Sequence, residues 1–524
     1  MNRNQPRDDA QERSTAHTEP IAPSVPIALT RIDGLLAESA RRTPDAQAIG
    51  DIDTTASYAE LNAEVNALAA RLHELGVRPG HRVGVLVPKS NSAVTALYAV
   101  LRAQAVAAPL DCSDPAERIT RAAHNAGLDF LITVPGAGAR AAEHLIDRPG
   151  TRHLELSGGL TLHPLAPQDR EATDDAYILF TSGSTGWPKG VLLTHDNVLH
   201  FVRWATDTLQ IEPQDRIGSQ ASLTFDLSTF DLFGAALVGA CAVILPEELK
   251  AFPRDVMRWL VDERITVLYA VPTLYRALWE RGGISAAAVP GLRVLAFAGE
   301  PFPPKTLSEY LTEFANSTWW NLYGPTETNV CTYTSIEADW SAADGTSIGR
   351  AIDGVHVDLA TDAGTPGQEG EIVVAGPTVF RGYLIDGELH DPTEPFSFAD
   401  GVTRRAYRTG DLAHRDDQGR LWLHGRRDHQ VKVRGNRIDL GDVESAAAAV
   451  PAVRACAAVL GPEDADGARL LLYAVTDDLD DQRLRAALTL ALPRRMMPHE
   501  VRVVPELPLN NRGKVDRTAL AARP

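Results

Sequence analysis

The segment Tyr177-Ile-Leu-Phe-Thr-Ser-Gly-Ser-Thr-Gly-Trp-Pro-Lys-Gly190 carries an apolar strand into a run of small hydroxylated residues and ends beside a lysine. That composition suits a polyanion. Gly183 and Gly186 let the backbone come close to phosphate oxygens. Thr181, Ser182, Ser184 and Thr185 supply hydroxyl and amide donors, and Lys189 adds a mobile positive charge. The G-x-x-x-x-G-K-[ST] spacing is absent, so the loop is not a P-loop. In isolation such a run also reads as a flexible connector.

Four later segments carry further chemistry. In Asn321-Leu-Tyr-Gly-Pro-Thr-Glu-Thr328 the Gly324-Pro325 pair forces a turn that presents a ring, a hydroxyl and a carboxylate together. An adenine could stack on Tyr323 while Glu327 meets magnesium; the competing reading is an ordinary surface turn. Tyr407-Arg-Thr-Gly-Asp-Leu412 is by itself a turn signal. Residues 425–441 are dense in arginine and lysine where a strand and turn are expected, and a charge run is most often a solvated face. Pro508-Leu-Asn-Asn-Arg-Gly-Lys-Val-Asp516 places Lys514 near the end of the chain, where a lysine is ordinarily solvated.

In this order the five segments resemble the signature motifs of the adenylate-forming enzymes, the superfamily of peptide-synthetase adenylation domains, acyl-CoA synthetases and luciferases. The resemblance implies ATP and Mg²⁺ as cofactors, with Tyr323 against the base, Thr326 on the α-phosphate and Glu327 at the metal. It implies that Asp411 accepts both ribose hydroxyls with Arg426 beside it, and that Gly299, Glu300, Asn321 and Gly324 complete the nucleotide site. It makes Asp428 the hinge about which a small C-terminal domain swings between adenylating and thioester-forming poses. Lys514 becomes the catalytic lysine that bridges the substrate carboxylate and the α-phosphate. The family often has Glu where Asp439 and Asp442 stand, a conservative departure.

Phe225-Asp-Leu-Ser228 resembles the amino-acid-activating branch, in which the matching aspartate, here Asp226, pairs with the substrate ammonium. A helix cap is the alternative role for it, and Asp231 offers a second carboxylate nearby. The family's pocket positions fall on Leu227, Phe230, Tyr269, Ala296, Ala298, Leu322, Val330 and Cys331. None is charged, which disfavours charged side chains, because a buried charge without a partner is costly. Phe230 and Tyr269 are bulky and should shorten the cavity. The implied substrate is a small neutral amino acid, L-alanine first, then serine or glycine; a β-amino acid is the rival. The implied acceptor is the phosphopantetheine thiol of a carrier protein. No Gly-Gly-x-Ser carrier segment follows Lys514, so the carrier is expected to be a separate protein. An acyl-CoA synthetase using free CoA shares the fold, but Asp226 argues against it. An amide-forming ligase with a free amine acceptor is also compatible. A member that only binds nucleotide would be expected to have lost Lys189, Glu327, Asp411 or Lys514, and all four are present.

These residues need a scaffold of alternating strands and helices. Ser57-Tyr-Ala-Glu60 is a capping box, and Leu61, Val65, Leu68, Leu72 and Leu75 follow at helical spacing. A strand at 82–88, a helix at 91–104 and a short apolar run at 107–110 repeat the alternation that gives parallel sheets with helical covers. Nothing chemical stands out before Tyr177. A helix is expected over 196–209, another from Phe225, and strands at 241–245, 266–271 and 294–298. From Gly370 to Gly425 shorter strands at 371–375 and 421–424 indicate a β-rich subdomain. The C-terminal part reads as strand 430–433, helix 440–450, strands 455–460 and 469–476, and a helix near 482–492. The expected fold is α/β, with a disordered tail at 1–26, a large layered domain at 27–427 and a small mobile α+β domain at 428–524.

The chain has 524 residues, more than one core usually serves, so several subdomains are expected. A net charge of −18 argues against nucleic acid or an anionic membrane as the main partner. Cys112, Cys241, Cys331 and Cys456 lack C-x-x-C spacing, and no apolar stretch resembles a signal peptide or a membrane span, so a cytoplasmic location is expected.

Overall fold

The computed structural model describes residues 29–136, 142–146, 153–181, 187–337, 340–342, 345–427, 430–433, 435–464, 467–508 and 515–523. The expected tail over 1–26 lies outside them.

Among the described residues the large N-terminal part holds two nine-stranded sheets. The first centres on the parallel strands Val106–Pro109, Arg82–Leu86 and Phe130–Thr133, with Asp175–Thr181 and Lys189–Thr194 alongside. The second runs parallel through Thr318–Tyr323, Val294–Phe297, Val267–Ala270, Arg216–Ser219, Cys241–Ile244 and Gln47–Gly50. Helices fill the space between the sheets. Asn91–Arg102 is buried at every position from Ala93 to Leu101, as a helix packed by sheets on both sides must be. Tyr58–Glu74 starts at the expected capping box, in which the Ser57 and Glu60 side chains each bond the other's backbone. One continuous core joins Val83, Val85 and Tyr177 of the first sheet to Ile217, Val267 and Ala296 of the second. Their strand neighbours Leu268 and Leu295 point the other way into a second core under helix Pro253–Asp262, so both faces of the sheet are covered.

The β-rich subdomain forms as expected, but around a strand longer than the short ones read there. Thr403–Arg415 runs for 13 residues and contains the Thr409-Gly-Asp411 signal inside it. The pairing with Glu369–Ala375 slips at that point, so Thr409, Gly410 and Asp411 stand opposite Ile372 alone. Gly410 has φ +78°, a conformation open to glycine, and the bulge re-aims the next side chain. What reads as a turn is a bulge in a strand.

The C-terminal part has its own core of Val433, Ile438, Val443, Leu472 and Leu484. It comprises a hairpin of Gln430–Val433 and Asn436–Asp439, helix Leu440–Ala448, a sheet of Val453–Asp464, Gly467–Thr476 and Glu500–Val503, and helix Asp481–Leu488. It docks on the large part through Arg495, which reaches Asp114 at 2.5 Å and Asp111 at 3.1 Å.

The Tyr58 hydroxyl lies buried 2.6 Å from the Ala240 carbonyl and 3.0 Å from that of Ala235, tying the capped helix to the end of Ala235–Val238. Tyr58→Phe removes the donor to the Ala240 carbonyl, while Ala235 keeps the Gly239 and Ala240 amides, and a loss of about 1–3 kcal/mol is expected, read as a lower urea midpoint.

Candidate functional site

The carboxyl ends of parallel strands from both sheets open on one cavity of about 710 Å³. Open α/β sheets place their ligands there. Leu110 and Asp111 follow one strand of the first sheet and Thr181 ends another. Gln220 to Ser222, Val271, Ala298 and Gly299, and Gly324 to Thr326 follow strands of the second. Asp411 and Arg426 enter from the β-rich subdomain, and Lys432 and Gly435 to Arg437 from the C-terminal hairpin.

One end of the cavity holds a buried carboxylate with two donors. Tyr323 donates its hydroxyl to Asp411 Oδ2 at 2.5 Å, and Arg426 Nη1 reaches Asp411 Oδ1 at 2.5 Å across the strand pair. Burial, and after it the Asp411 charge, push the Tyr323 phenol well above the usual tyrosine value, so it stays a donor. Arg426 also donates to the Thr409 carbonyl and to Gln430 Oε1. The Lys432 ammonium stands 5.5 Å from the Tyr323 ring centroid. Burial lowers its pKa, opposed by Asp411.

Asp226 lines the middle of the cavity, with Leu227, Tyr269, Ala298 and Val330. It makes no capping hydrogen bond to its helix, so the capping role is not the one it takes. Burial raises its pKa, opposed by a hydrogen bond from the Thr326 hydroxyl. Phe230, Ala296, Leu322 and Cys331, expected around the same substrate, do not line the cavity and are buried behind its wall. Phe230 supports Tyr269 edge-on at 5.9 Å from within a π-helical segment, Phe230–Gly234. The Cys331 thiol is pushed up to about 12 by burial, so the layer behind the pocket is uncharged. Asp231 faces away, fully buried with Lys89, whose ammonium donates to the Ser219 and Ala221 carbonyls at 2.6 Å.

Glu327 is fully buried. Its Oε1 accepts from the Tyr383 hydroxyl at 2.7 Å, and its Oε2 meets Arg437 Nη1 at 2.8 Å. Burial would raise its pKa, but the Arg437 and Lys189 charges outweigh that and hold it below the usual carboxylate range. Lys189 lies 3.6 Å over the Tyr383 ring. With both oxygens engaged, Glu327 does not fit a metal in this arrangement. No group of three His, Cys, Asp or Glu among the described residues could hold one.

Glu300, expected at the nucleotide, instead accepts from the Thr273 amide at 2.7 Å and the Gly435 amide at 3.2 Å. Asn321 donates to the Ser347 carbonyl at 2.8 Å and braces the strand beneath the cavity. Ser182, Gly183, Ser184, Thr185, Gly186, Asp428 and Lys514 lie outside the described residues. Residues before Tyr177 also reach this region, since Asp111, Asp114 and Arg118 line the cavity and Lys89 pins the loop leading to Asp226. The basic run is likewise more than a solvated face. Lys432 and Arg437 are cross-strand partners aimed at the site, while Val433 and Ile438 fill the small core. The two-residue alternation of Val431-Lys-Val433 is the signal that could have found this.

Arg426→Ala is expected to cost about 3–5 kcal/mol by leaving the Asp411 charge buried, with most of that loss recovered in Arg426→Met/Asp411→Asn, both read as urea midpoints.

The profile of the family described as AMP-binding enzyme matches residues 36–384, and that of AMP-binding enzyme C-terminal domain matches 442–514. An L-proline--[L-prolyl-carrier protein] ligase of Pseudomonas fluorescens is 35% identical over 93% of this chain and 98% of its own length. A ligase of the same name from Streptomyces coelicolor is 36% identical over 89% and 92%. Among solved structures, PA1221, an NRPS protein containing adenylation and PCP domains, superposes with a TM-score of 0.78 at 27% identity, covering 94% of this chain and 84% of that one.

Proposed function

This chain belongs to the AMP-binding enzyme family, and we propose that it activates a small neutral amino acid with ATP and passes it to the phosphopantetheine thiol of a carrier protein. The observation that carries this reading is that Asp226 and Asp411 line one cavity with Thr326 between them in the sequence. A carboxylate for an ammonium and a carboxylate for a diol then hold the two ends of one aminoacyl adenylate.

The chemistry follows from charge. In the first half-reaction an oxygen of the amino acid carboxylate bonds the α-phosphorus of ATP, the bond to the bridging oxygen breaks, and pyrophosphate leaves. Anion meets anion, so donors and cations must be set in advance around the α-phosphate. Thr326, the glycine-rich loop and Lys514 are proposed for this, Lys514 arriving by rotation about Asp428. Magnesium enters as the counter-ion of ATP. In the second half-reaction the thiol sulfur bonds the acyl carbon, its proton is lost, and AMP leaves with the electron pair. Lys432, on the hairpin now facing the cavity, is placed to balance the charge of the departing AMP.

The pocket walls support a short side chain. Tyr269, braced by Phe230, lines the cavity with Ala298 and Val330, none of them charged, and alanine leads, followed by serine and glycine. The names of the two relatives make proline the first competitor, since Asp226 serves a secondary ammonium equally well.

An ATP–pyrophosphate exchange panel of alanine, serine, glycine, proline, β-amino acids, benzoate and a fatty acid tests this. Exchange led by a small neutral amino acid is expected, with kcat/KM for that acid at least about 10²-fold lower in Asp226→Ala. Exchange confined to benzoate or the fatty acid would overturn the assignment of Asp226.

Asp226 must be ionised to hold an ammonium, and burial raises its pKa while Thr326 opposes the shift. The KM for the amino acid is therefore expected to rise as pH falls through that raised value. In Thr326→Val, which loses the hydrogen bond to the charged form, the rise is expected to begin at a higher pH; KM-against-pH profiles of both proteins check it.

A further inference from the structure

The carboxylate expected to meet a divalent metal already faces a cation, a guanidinium from the C-terminal hairpin. Glu327 has no solvent exposure, Tyr383 takes Oε1 at 2.7 Å, and Arg437 takes Oε2 at 2.8 Å. Arg437 is held in that direction by its own hairpin, since its Nε donates to Gln430 Oε1 at 2.6 Å. The hairpin is also seated closely. A side chain on Gly435, which has φ +74°, would come within 2.4 Å of Val271, and the Gly435 amide bonds Glu300. A divalent ion binds a carboxylate oxygen at about 2.0–2.6 Å. An ion on Oε2 would share that oxygen with the guanidinium and repel it across a distance of a few ångströms.

We propose that Arg437 is a built-in substitute for the metal at Glu327, so that metal binding there and seating of the Gln430–Asp439 hairpin exclude each other. When metal and pyrophosphate leave, Glu327 is a buried charge short of a partner, which is costly. Lys189 cannot take over fully, because its ammonium is committed to the face of the Tyr383 ring. The hairpin supplies the missing cation and in doing so brings Lys432 and the Gly435 backbone to the cavity. Arg437 is in this sense a positioning residue that orders the two half-reactions. The inference rests on the proposed function for its role in catalysis, but the exclusion itself is a binding equilibrium that can be read without turnover.

The probe is Mn²⁺, added with a non-hydrolysable ATP analogue to the full-length protein, with free Mn²⁺ read by electron paramagnetic resonance. If the hairpin is seated about nine-tenths of the time without ligands, Arg437→Ala is expected to bind Mn²⁺ about tenfold more tightly, with Arg437→Lys in between. In the wild-type protein, hydrogen exchange at the Gly435 amide is expected to be slow without metal and to accelerate once Mn²⁺ and the analogue are bound. Equal Mn²⁺ affinity in wild type and Arg437→Ala, or Gly435 protection unmoved by Mn²⁺, overturns the proposal. If Arg437→Ala fails to fold, Arg437→Lys and the wild-type exchange decide it. Amino-acid-dependent pyrophosphate exchange in the wild type separately decides the proposed function, and its failure leaves the Mn²⁺ comparison valid.

Discussion

Glu327 carries a charge with no water to solvate it, and much of the site is arranged around keeping that charge tolerable. Tyr383 gives it one hydrogen bond, Arg437 a second with a full positive charge, and Lys189 stands close enough to help hold its pKa down. The Tyr383 hydroxyl in turn lies 2.8 Å from that of Tyr407, at the start of the strand segment that leads into Asp411. Gln430 Oε1 accepts from both Arg437 and Arg426, and Arg426 reaches Asp411, so the carboxylates of Glu327 and Asp411 belong to one polar network. In a low-dielectric interior such a network is stable only when every member is satisfied. That explains why residues from both large sheets, the β-rich subdomain and the C-terminal hairpin converge on so small a volume.

Much of the fold was legible in the residues. The Ser57 capping box, the helical spacing after it and the apolar runs of the parallel strands each point to one local answer, and packing agrees with it. The β-rich subdomain was legible in its short strands and polar turns, but the Thr409-Gly-Asp411 bulge was not. Glycine beside aspartate marks a turn in any local reading, and only pairing with Ile372 turns it into a bulge. Within the site, Asp226, Tyr323, Thr326, Asp411 and Arg426 converge as their motifs suggested. Lys89, Tyr383 and Arg437 were missed for one reason: each acts through a partner more than 50 residues away in the chain, and no local pattern records that.

The amino acid pocket shows the same division between local and long-range information. Of the positions that the motifs place around the substrate, Leu227, Tyr269, Ala298 and Val330 touch the cavity, while Phe230, Ala296, Leu322 and Cys331 stand behind them. The second layer still matters. Phe230 fixes the plane of Tyr269, and the π-helical segment sets Phe230 against it. A change in the back layer therefore alters pocket shape without touching a ligand. This gives a physical reason why pocket composition reads substrate class more readily than substrate identity.

The interleaving of the two sheets has a consequence for how the chain is made. Gln47–Gly50 emerges first but pairs with Cys241–Ile244 of the second sheet, across seven of the first sheet's nine strands. The first sheet in turn takes Gly382–Ile385 as the neighbour of Lys189–Thr194, after the second is complete. Neither sheet can be finished on the ribosome while the other is absent, and helix Asn91–Arg102 finds its burial only when both exist. Pairings that span nearly 200 residues close slowly, because loop closure comes before the contacts that reward it. Each sheet of the large part thus closes only once strands on the far side of the other have been made. The nascent chain carries unpaired strand edges for most of its synthesis, which makes protection from aggregation a requirement of the topology.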